Sequence, residues 1–111
     1  MSRHRIPDTT HLQFLVLGML RTAPHLGRAL RKELSSHGVR RSGPAFYQMM
    51  ARLEDAGFVA GQYEQKVLSG QIIKERLYTL TPAGAAAWAA TRDFYLSTIA
   101  AFDPDEGLTR V

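Results

Sequence analysis

The chain has 111 residues, 45% of them hydrophobic, and a formal net charge of +4 at pH 7. This length allows one compact domain, so a large catalytic cleft would have to lie between subunits. The sequence contains no cysteine, which excludes disulfides, thiolate nucleophiles and thiolate metal ligands. The longest apolar stretch, residues 14–20, is too short to cross a bilayer, and the N-terminus MSRHRIPD lacks the apolar run of a signal peptide. We therefore expect a cytoplasmic protein with no membrane partner.

The first nine residues differ in pattern from those that follow. Residues 1–9 mix charges with a proline and show no periodicity, which predicts a flexible arm ending at a helix cap, Thr9 or Thr10. Apolar residues at helical spacing then predict a largely buried first helix, which Pro24 closes. Its apolar positions are Leu12, Phe14, Leu15, Val16, Leu17, Met19 and Leu20.

Residues 26–36 predict a shorter, amphipathic second helix. One face is apolar, the rest is mainly basic, and His37-Gly38 supplies a C-terminal stop. The apolar face contains Leu26, Ala29, Leu30 and Leu34, and the basic residues are Arg28, Arg31 and Lys32.

A third helix is predicted from residue 44 or 45 to residue 56. Ser42 is the expected N-cap, and Gly57 is the expected left-handed residue at the C-terminal end. The i, i+3, i+4, i+7 spacing predicts a buried stripe. The stripe is Phe46, Met49, Met50 and Leu53, and the outward face keeps Tyr47, Gln48, Ala51 and Arg52.

Two strands, residues 58–67 and 72–80, follow with a turn between them at residues 68–71. A threonine-proline pair then opens a long, alanine-rich fourth helix ending at about Phe102. The predicted fold class is mostly α with a small β-hairpin: a winged helix-turn-helix domain over residues 10–81 and a C-terminal dimerisation helix over residues 82–102. Residues 103–111 predict an acidic, flexible tail.

The winged helix-turn-helix order predicts double-stranded DNA as the partner, with the third helix in the major groove and the hairpin beside it. Residues 21–52 carry seven basic residues but only one acidic residue. Glutamine can pair with adenine and arginine with guanine, while cations and a helix N-terminus bind phosphate. The candidate DNA-binding residues are Arg40, Arg41, Ser42, Tyr47, Gln48, Arg52, Lys66, Ser69, Gly70, Gln71 and Lys74.

The segments SGPAFYQMMARLEDAGFV and KERLYTLTPAG resemble the PadR-like transcriptional regulators over about residues 12–90. The resemblance depends on residues at matching spacing: Tyr47, Arg52, Leu53, Glu54, Gly57, Arg76, Tyr78, Leu80, Thr81 and Gly84. It implies a homodimeric bacterial repressor whose fourth helix is the dimerisation element. It also implies that an aromatic small-molecule effector is conceivable, since some members bind such molecules.

The fourth helix independently indicates a partner subunit, because it carries more apolar surface than one small domain can bury. The predicted dimer interface is Trp88, Tyr95, Leu96, Ile99 and Phe102. Two alternatives stay open for the first two residues: they cap the core of a single chain, or they hold an aromatic ligand between them.

No pattern in the sequence favours catalysis, a cofactor or a metal. The four histidines lie in different segments, and Asp103 to Gly107 resemble only the beginning of a calcium loop. No glycine-rich phosphate loop and no nucleophile triad is present. The sequence thus predicts a non-enzymatic homodimeric repressor that occupies a pseudo-palindromic operator. A winged-helix module for protein interaction is the first alternative, and a small enzyme is the second.

Overall fold

The computed structural model describes residues 9–103. The predicted N-terminal arm and acidic tail therefore lie outside the described residues, apart from Thr9 and Asp103. Four helices and three strands are present, and this architecture confirms the predicted fold class. In chain order they are α1 (His11–Leu20), β1 (His25–Leu26), α2 (Gly27–Ser36), α3 (Gly43–Asp55), β2 (Val59–Leu68), β3 (Gln71–Leu80) and α4 (Pro82–Phe102).

Three helices begin at hydroxyl caps that the sequence predicts. Thr10 accepts a hydrogen bond from the backbone N–H of Gln13, whose side chain in turn accepts one from the backbone N–H of Thr10, so α1 starts with a capping box. Ser42 and Thr81 cap α3 and α4, their hydroxyls accepting hydrogen bonds from the backbone N–H groups of Ala45 and Gly84. These caps satisfy backbone N–H groups that have no partner inside the helix, which is why each helix begins where it does.

The C-terminal end of α3 is fixed by Gly57, as predicted. Its φ of 80° lies in the left-handed region that favours glycine. The backbone N–H of Gly57 donates to Glu54 O, and that of Phe58 donates to Leu53 O, which is the Schellman arrangement. The chain therefore turns sharply from α3 into β2.

The sheet is antiparallel with strand order β1-β3-β2. The turn between β2 and β3 is tighter than the predicted four residues: only Ser69 and Gly70 are unpaired, and both have positive φ, 51° and 80°. Such a turn matches the twist of a hairpin. Strand β1 was not predicted, because two residues are too few to show a period of two. His25 and Leu26 pair with Tyr78 and Leu77.

The core lies between the helices and one face of the sheet. All four residues of the predicted α3 stripe are buried, at most 6% exposed. Two predicted core positions are wrong: Leu15 is 37% exposed, and Ala29 is exposed. Ala29 lies about 100° around α2 from the buried Leu30, outside the buried stripe. The core residues are Val16, Leu17, Leu20, Leu30, Leu34, Phe46, Met49, Met50, Leu53, Val59 and Tyr78.

Helix α4 packs antiparallel on α1. Near the start of α4, Trp88 stacks on Phe14 with ring centroids 5.7 Å apart and lies close to Gly18. Further along, Tyr95 stacks on His11, the first residue of α1, at 5.6 Å. Since α4 continues to Phe102, its last two turns extend past the start of α1.

Candidate nucleic-acid interface

The buried stripe of α3 determines which side chains the helix presents to solvent. Because the stripe faces the core, Tyr47, Gln48, Ala51 and Arg52 remain exposed, as predicted. Tyr47, at 41% exposure, is the only large hydrophobic side chain within Gly43–Asp55 that is exposed to solvent. This outward face is therefore small and polar around one aromatic ring.

Tyr47 contacts its neighbour Phe46 on α3 and the start of α2 at Gly27. Its ring meets the edge of Phe46 at 4.9 Å between centroids and 87° between planes. A Cβ atom on Gly27 would lie 2.8 Å from both Cε1 and the hydroxyl oxygen of Tyr47, closer than real contacts allow. Gly27 thus makes room for this ring, a role that the sequence patterns did not reveal.

Gln48 and Arg52 lie on a different side of α3 from Tyr47. Together with Arg41 they line a depression of about 540 Å³ beside the first turn of α1. Tyr47 instead lines two other depressions, one against α2 and one against the hairpin. The predicted reading face is therefore split in two, with Arg41 bordering both the Gln48 side and the α2 side.

A basic depression of about 500 Å³ lies between α2 and the loop before α3. Among the described residues that line it, none is acidic. The loop is tied to α2, because the Nε of Arg31 donates to the carbonyl oxygen of Arg41 at 3.0 Å. This basic depression is formed by Arg28, Arg31, Lys32, Arg40 and Arg41 together with Ser35 and Tyr47.

Of the five cations of the basic depression, only the two loop arginines were predicted as DNA contacts; Tyr47, which also lines it, was predicted as well. The sequence patterns identified Arg28, Arg31 and Lys32 simply as the polar face of α2. Their i, i+3, i+4 spacing does place them on one side of a helix. What the sequence could not supply is the tertiary packing that brings this side next to Arg40 and Arg41. Ser42, the next residue, contributes mainly as the N-cap of α3, since its hydroxyl accepts from Ala45 N–H at 3.2 Å.

The hairpin carries the other predicted DNA contacts. Ser69, Gly70 and Gln71 are exposed at its tip, and Lys74 lines a groove of about 790 Å³ between the hairpin and α3. Lys66 is differently placed, because its Nζ lies 3.4 Å from the carboxylate of Glu75. The structure therefore leaves Lys74 facing the groove, whereas Lys66 is part of an ion pair.

Glu75 links the hairpin to α2. Both Nε and a terminal nitrogen of Arg28 lie 2.8 Å from its Oε1, and its side chain is only 10% exposed. The hydrogen bond from Arg28 is the main cause that lowers the pKa of Glu75, with Lys66 adding to it and burial opposing it. The carboxylate thus stays charged and fixes the hairpin against the start of α2.

A second ion pair neutralises the acidic end of α3. Glu54 accepts two hydrogen bonds from Arg76, at 2.6 and 3.2 Å, and the Arg76 guanidinium lies 4.6 Å from the ring centre of Tyr63. The hydrogen bonds with Glu54 raise the pKa of Arg76. Next to this pair, burial raises the pKa of Tyr78 to about 12. The carboxylate of Glu54 is therefore compensated within the chain, which reduces its repulsion of a nearby phosphate.

The predicted dimer residues fall into two groups. Trp88 and Tyr95 are partly buried against α1, and Phe14 contacts both rings at 5.7 Å. The ring of Phe14 therefore lies between Trp88 and Tyr95, where a bound aromatic ligand was the alternative. The other three residues form the outer end of α4 and are exposed: Leu96 at 39%, Ile99 at 40% and Phe102 at 84%.

Two further searches of the part of the chain described by the structure complete the survey. No helix there is long and apolar enough to cross a membrane. Residues 9–103 also contain no cluster of three or more His, Asp or Glu side chains suited to a metal ion.

Solved structures share this architecture. A PadR family transcriptional regulator from Eggerthella lenta is 27% identical, with a TM-score of 0.69 over 81% of this chain and 76% of that one. A transcriptional regulator from Clostridium thermocellum is 16% identical, with a TM-score of 0.70 over 86% of this chain and 90% of that one. The PadR protein of Bacillus subtilis, solved in complex with operator DNA, is 19% identical, with a TM-score of 0.59 over 73% of this chain and 47% of that one.

A comparison with curated protein sequences found no significant match. The model of the transcriptional regulator PadR-like family matches residues 16–90, which is more than half of the chain. This match runs from the middle of α1 through the hairpin to the first half of α4, and it confirms the resemblance seen in the sequence. The chain therefore belongs to the PadR-like family of transcriptional regulators.

Proposed function

We propose that this protein is a homodimeric repressor that binds a pseudo-palindromic operator and excludes other proteins from promoter DNA. The observation that carries the proposal is the basic depression, where five cationic side chains converge beside the N-terminus of α3. Like charges gathered in this way repel one another, and a polyanion relieves that repulsion. The Bacillus subtilis protein of the same family was solved with operator DNA, which supports the same ligand here.

The basic depression would hold the phosphate backbone, and α3 would read the bases. Arg40 and Arg41 flank the capped end of α3, where free N–H groups and the helix dipole also favour phosphate. Gln48 and Arg52 project from the next turns of the same helix. Because they can make bidentate contacts with adenine and guanine, we assign sequence preference to these two side chains.

The outer end of α4 would form the dimer interface. On this helix, Trp88 and Tyr95 are covered by α1. Beyond Tyr95 the helix exposes Leu96, Ile99 and Phe102. A second copy would cover these side chains isologously. In this proposal residues 10–81 bind DNA and residues 82–102 form the dimer, so that two α3 helices reach successive major grooves roughly 34 Å apart.

Selection from a pool of randomised duplexes of roughly 40 bp tests this proposal, since two half-sites one helical turn apart fit within that length. Sequencing the bound fraction should yield two inverted copies of one short motif. The variant R52A should relax the preference at one position of each copy, whereas R92A, on α4, should not. Recovery of no enriched sequence would contradict specific recognition and favour a winged helix used for protein interaction.

A further inference from the structure

Strand β2 forms an edge of the sheet, because the strand order is β1-β3-β2. On the other side of β3, the short strand β1 pairs only with Leu77 and Tyr78. From there to the turn, the hairpin of the described chain is a two-stranded ribbon, and residues 62–68 of β2 are exposed apart from the half-buried Glu64. A ribbon of two strands is only marginally stable, and a further strand stabilises it. The edge of β2 therefore offers a place where another strand can pair.

The turn determines which backbone groups of β2 point outward. Leu68 and Gln71 flank the two-residue turn and are partners in the ladder. Residues in these positions hydrogen-bond to each other through their backbones. Because hydrogen-bonded and non-hydrogen-bonded pairs alternate along an antiparallel ladder, Tyr63, Gln65 and Val67 direct their N–H and C=O groups away from β3. These groups are available to an additional strand.

The middle of β2 carries an acidic residue with an unfavourable neighbour. Glu64 lies directly opposite Glu75 in the ladder, and like charges in this position destabilise a sheet. Glu75 is paired with Arg28 and Lys66, whereas Glu64 forms no ion pair within residues 9–103. A cation brought to the edge of β2 beside Glu64 would therefore be stabilising.

A second copy of β2 has a cation in the matching position. When two β2 strands are aligned antiparallel about a two-fold axis at Gln65, Glu64 of each strand lies opposite Lys66 of the other. Tyr63 then lies opposite Val67, and these side chains are 67% and 70% exposed. Opposite charges and aromatic–β-branched pairs across strands both stabilise a sheet. An axis at Glu64 or Lys66 would instead place like charges opposite each other, so the charges select the alignment at Gln65.

We propose that two copies of this protein pair through the edges of their β2 strands, antiparallel and centred on Gln65, so that their hairpins form one continuous sheet. Lys66 keeps its contact with Glu75, since an ammonium group has three donors and can serve two carboxylates. This contact goes beyond the proposed function, which requires only the outer end of α4. The alternative is that Glu64 and Lys66 are charges that prevent pairing at the edge.

Disulfide trapping tests the alignment, because the chain contains no cysteine that would interfere. At the two-fold axis the Cα atoms of a hydrogen-bonded pair are about 5.5 Å apart, within the range of a disulfide. Mild oxidation of Q65C should therefore give a covalent dimer on a non-reducing gel. The matched variant is Q62C, at another exposed glutamine of β2. Its two thiols would be roughly 20 Å apart in this alignment, so we expect cross-linking at least about tenfold slower than in Q65C.

Charge exchange tests the origin of the pairing. E64K added to Q65C places like charges opposite each other across the contact, and its cross-linking should slow to the rate of Q62C. The exchange E64K/K66E restores opposite charges in the reverse order and should recover the rate of Q65C. The hairpin itself tolerates the exchange, since the introduced lysine faces Glu75 in the ladder.

The outer end of α4 supplies the last control. Q65C combined with I99E, which introduces a charge at the outer end of α4, should still cross-link because β2 does not include that surface. Loss of cross-linking in this variant would overturn β2 pairing as a separate contact. Equal rates for Q65C and Q62C, or no recovery in the exchanged variant, would overturn the proposed alignment. Because these experiments contain no DNA, their outcome is independent of whether the protein recognises an operator.

Discussion

The basic depression and the outer end of α4 are two surfaces of the described chain whose exposed groups differ in kind. In the basic depression five cations share a concavity with no acidic residue among its described lining residues. At the outer end of α4, three large apolar side chains are open to solvent. Two acids are paired within the chain, Glu54 with Arg76 and Glu75 with Arg28, so Arg28 is one cation of the basic depression that already has a partner. The contrast supports the proposal of two different partners, a polyanion and a second copy.

The largest effect is expected from a variant that disrupts the proposed dimer contact at the outer end of α4. The variant I99E places a charge in the centre of the outer end of α4, and burial of an unpaired charge is strongly unfavourable. We expect a monomer in sedimentation equilibrium and a fall of about 100-fold or more in operator affinity, because two half-sites no longer bind as one unit. S97E, about 200° around the helix from Ile99, is the matched control and should stay dimeric. A dimeric I99E would place the interface elsewhere.

The next test weakens binding of the anionic partner, DNA. R40Q/R41Q removes two cations from the basic depression without introducing a charge. Operator affinity should fall about 10- to 100-fold at low salt, and the salt slope should decrease by about 2, measured by fluorescence anisotropy. The oligomeric state should not change, which distinguishes this surface from α4. R92Q, on α4 and outside the basic depression, should bind as the unaltered protein does.

A smaller effect is expected from the glycine beneath Tyr47. G27A puts a Cβ atom 2.8 Å from the Tyr47 ring and 3.1 Å from the buried Tyr78 ring, so the Tyr47 ring must move. We expect operator affinity to fall by about three- to tenfold, corresponding to roughly 1 kcal/mol. In G43A the new Cβ meets only Arg31, at an ordinary 3.7 Å, and affinity should be retained. Equal affinities for the two variants would show that the position of Tyr47 is unimportant.

The smallest effect concerns the paired acids. The lowered pKa of Glu75 means that its charged form stabilises the folded state at neutral pH. This contribution is present above the ordinary glutamate pKa of 4.5 and is lost as pH falls through the lowered, folded-state value. E75Q should therefore unfold at a lower denaturant concentration than the unaltered protein at pH 7, and the two should converge in acid. A difference that is constant with pH would contradict the ion-pair origin.

Local chemistry explains why much of the fold could be predicted. The hydroxyl caps, the α3 stripe and Gly57 depend on neighbouring residues only, and the structure places each where the sequence indicates. Strand β1 could not be predicted, since His25 and Leu26 are extended only because they pair with β3. The cations of α2 were missed as site residues for the same reason: only packing brings Arg28 and Arg31 next to the loop before α3.

The most direct test of the central claim is fluorescence anisotropy with the selected duplex and a scrambled duplex of equal composition, each titrated at several salt concentrations. We expect a preference for the selected duplex of roughly 10³ or more, and a slope of log affinity against log salt of about −5 or steeper. Equal affinity for both duplexes, or a slope near zero, would contradict the assignment of the basic depression and α3 to specific DNA recognition.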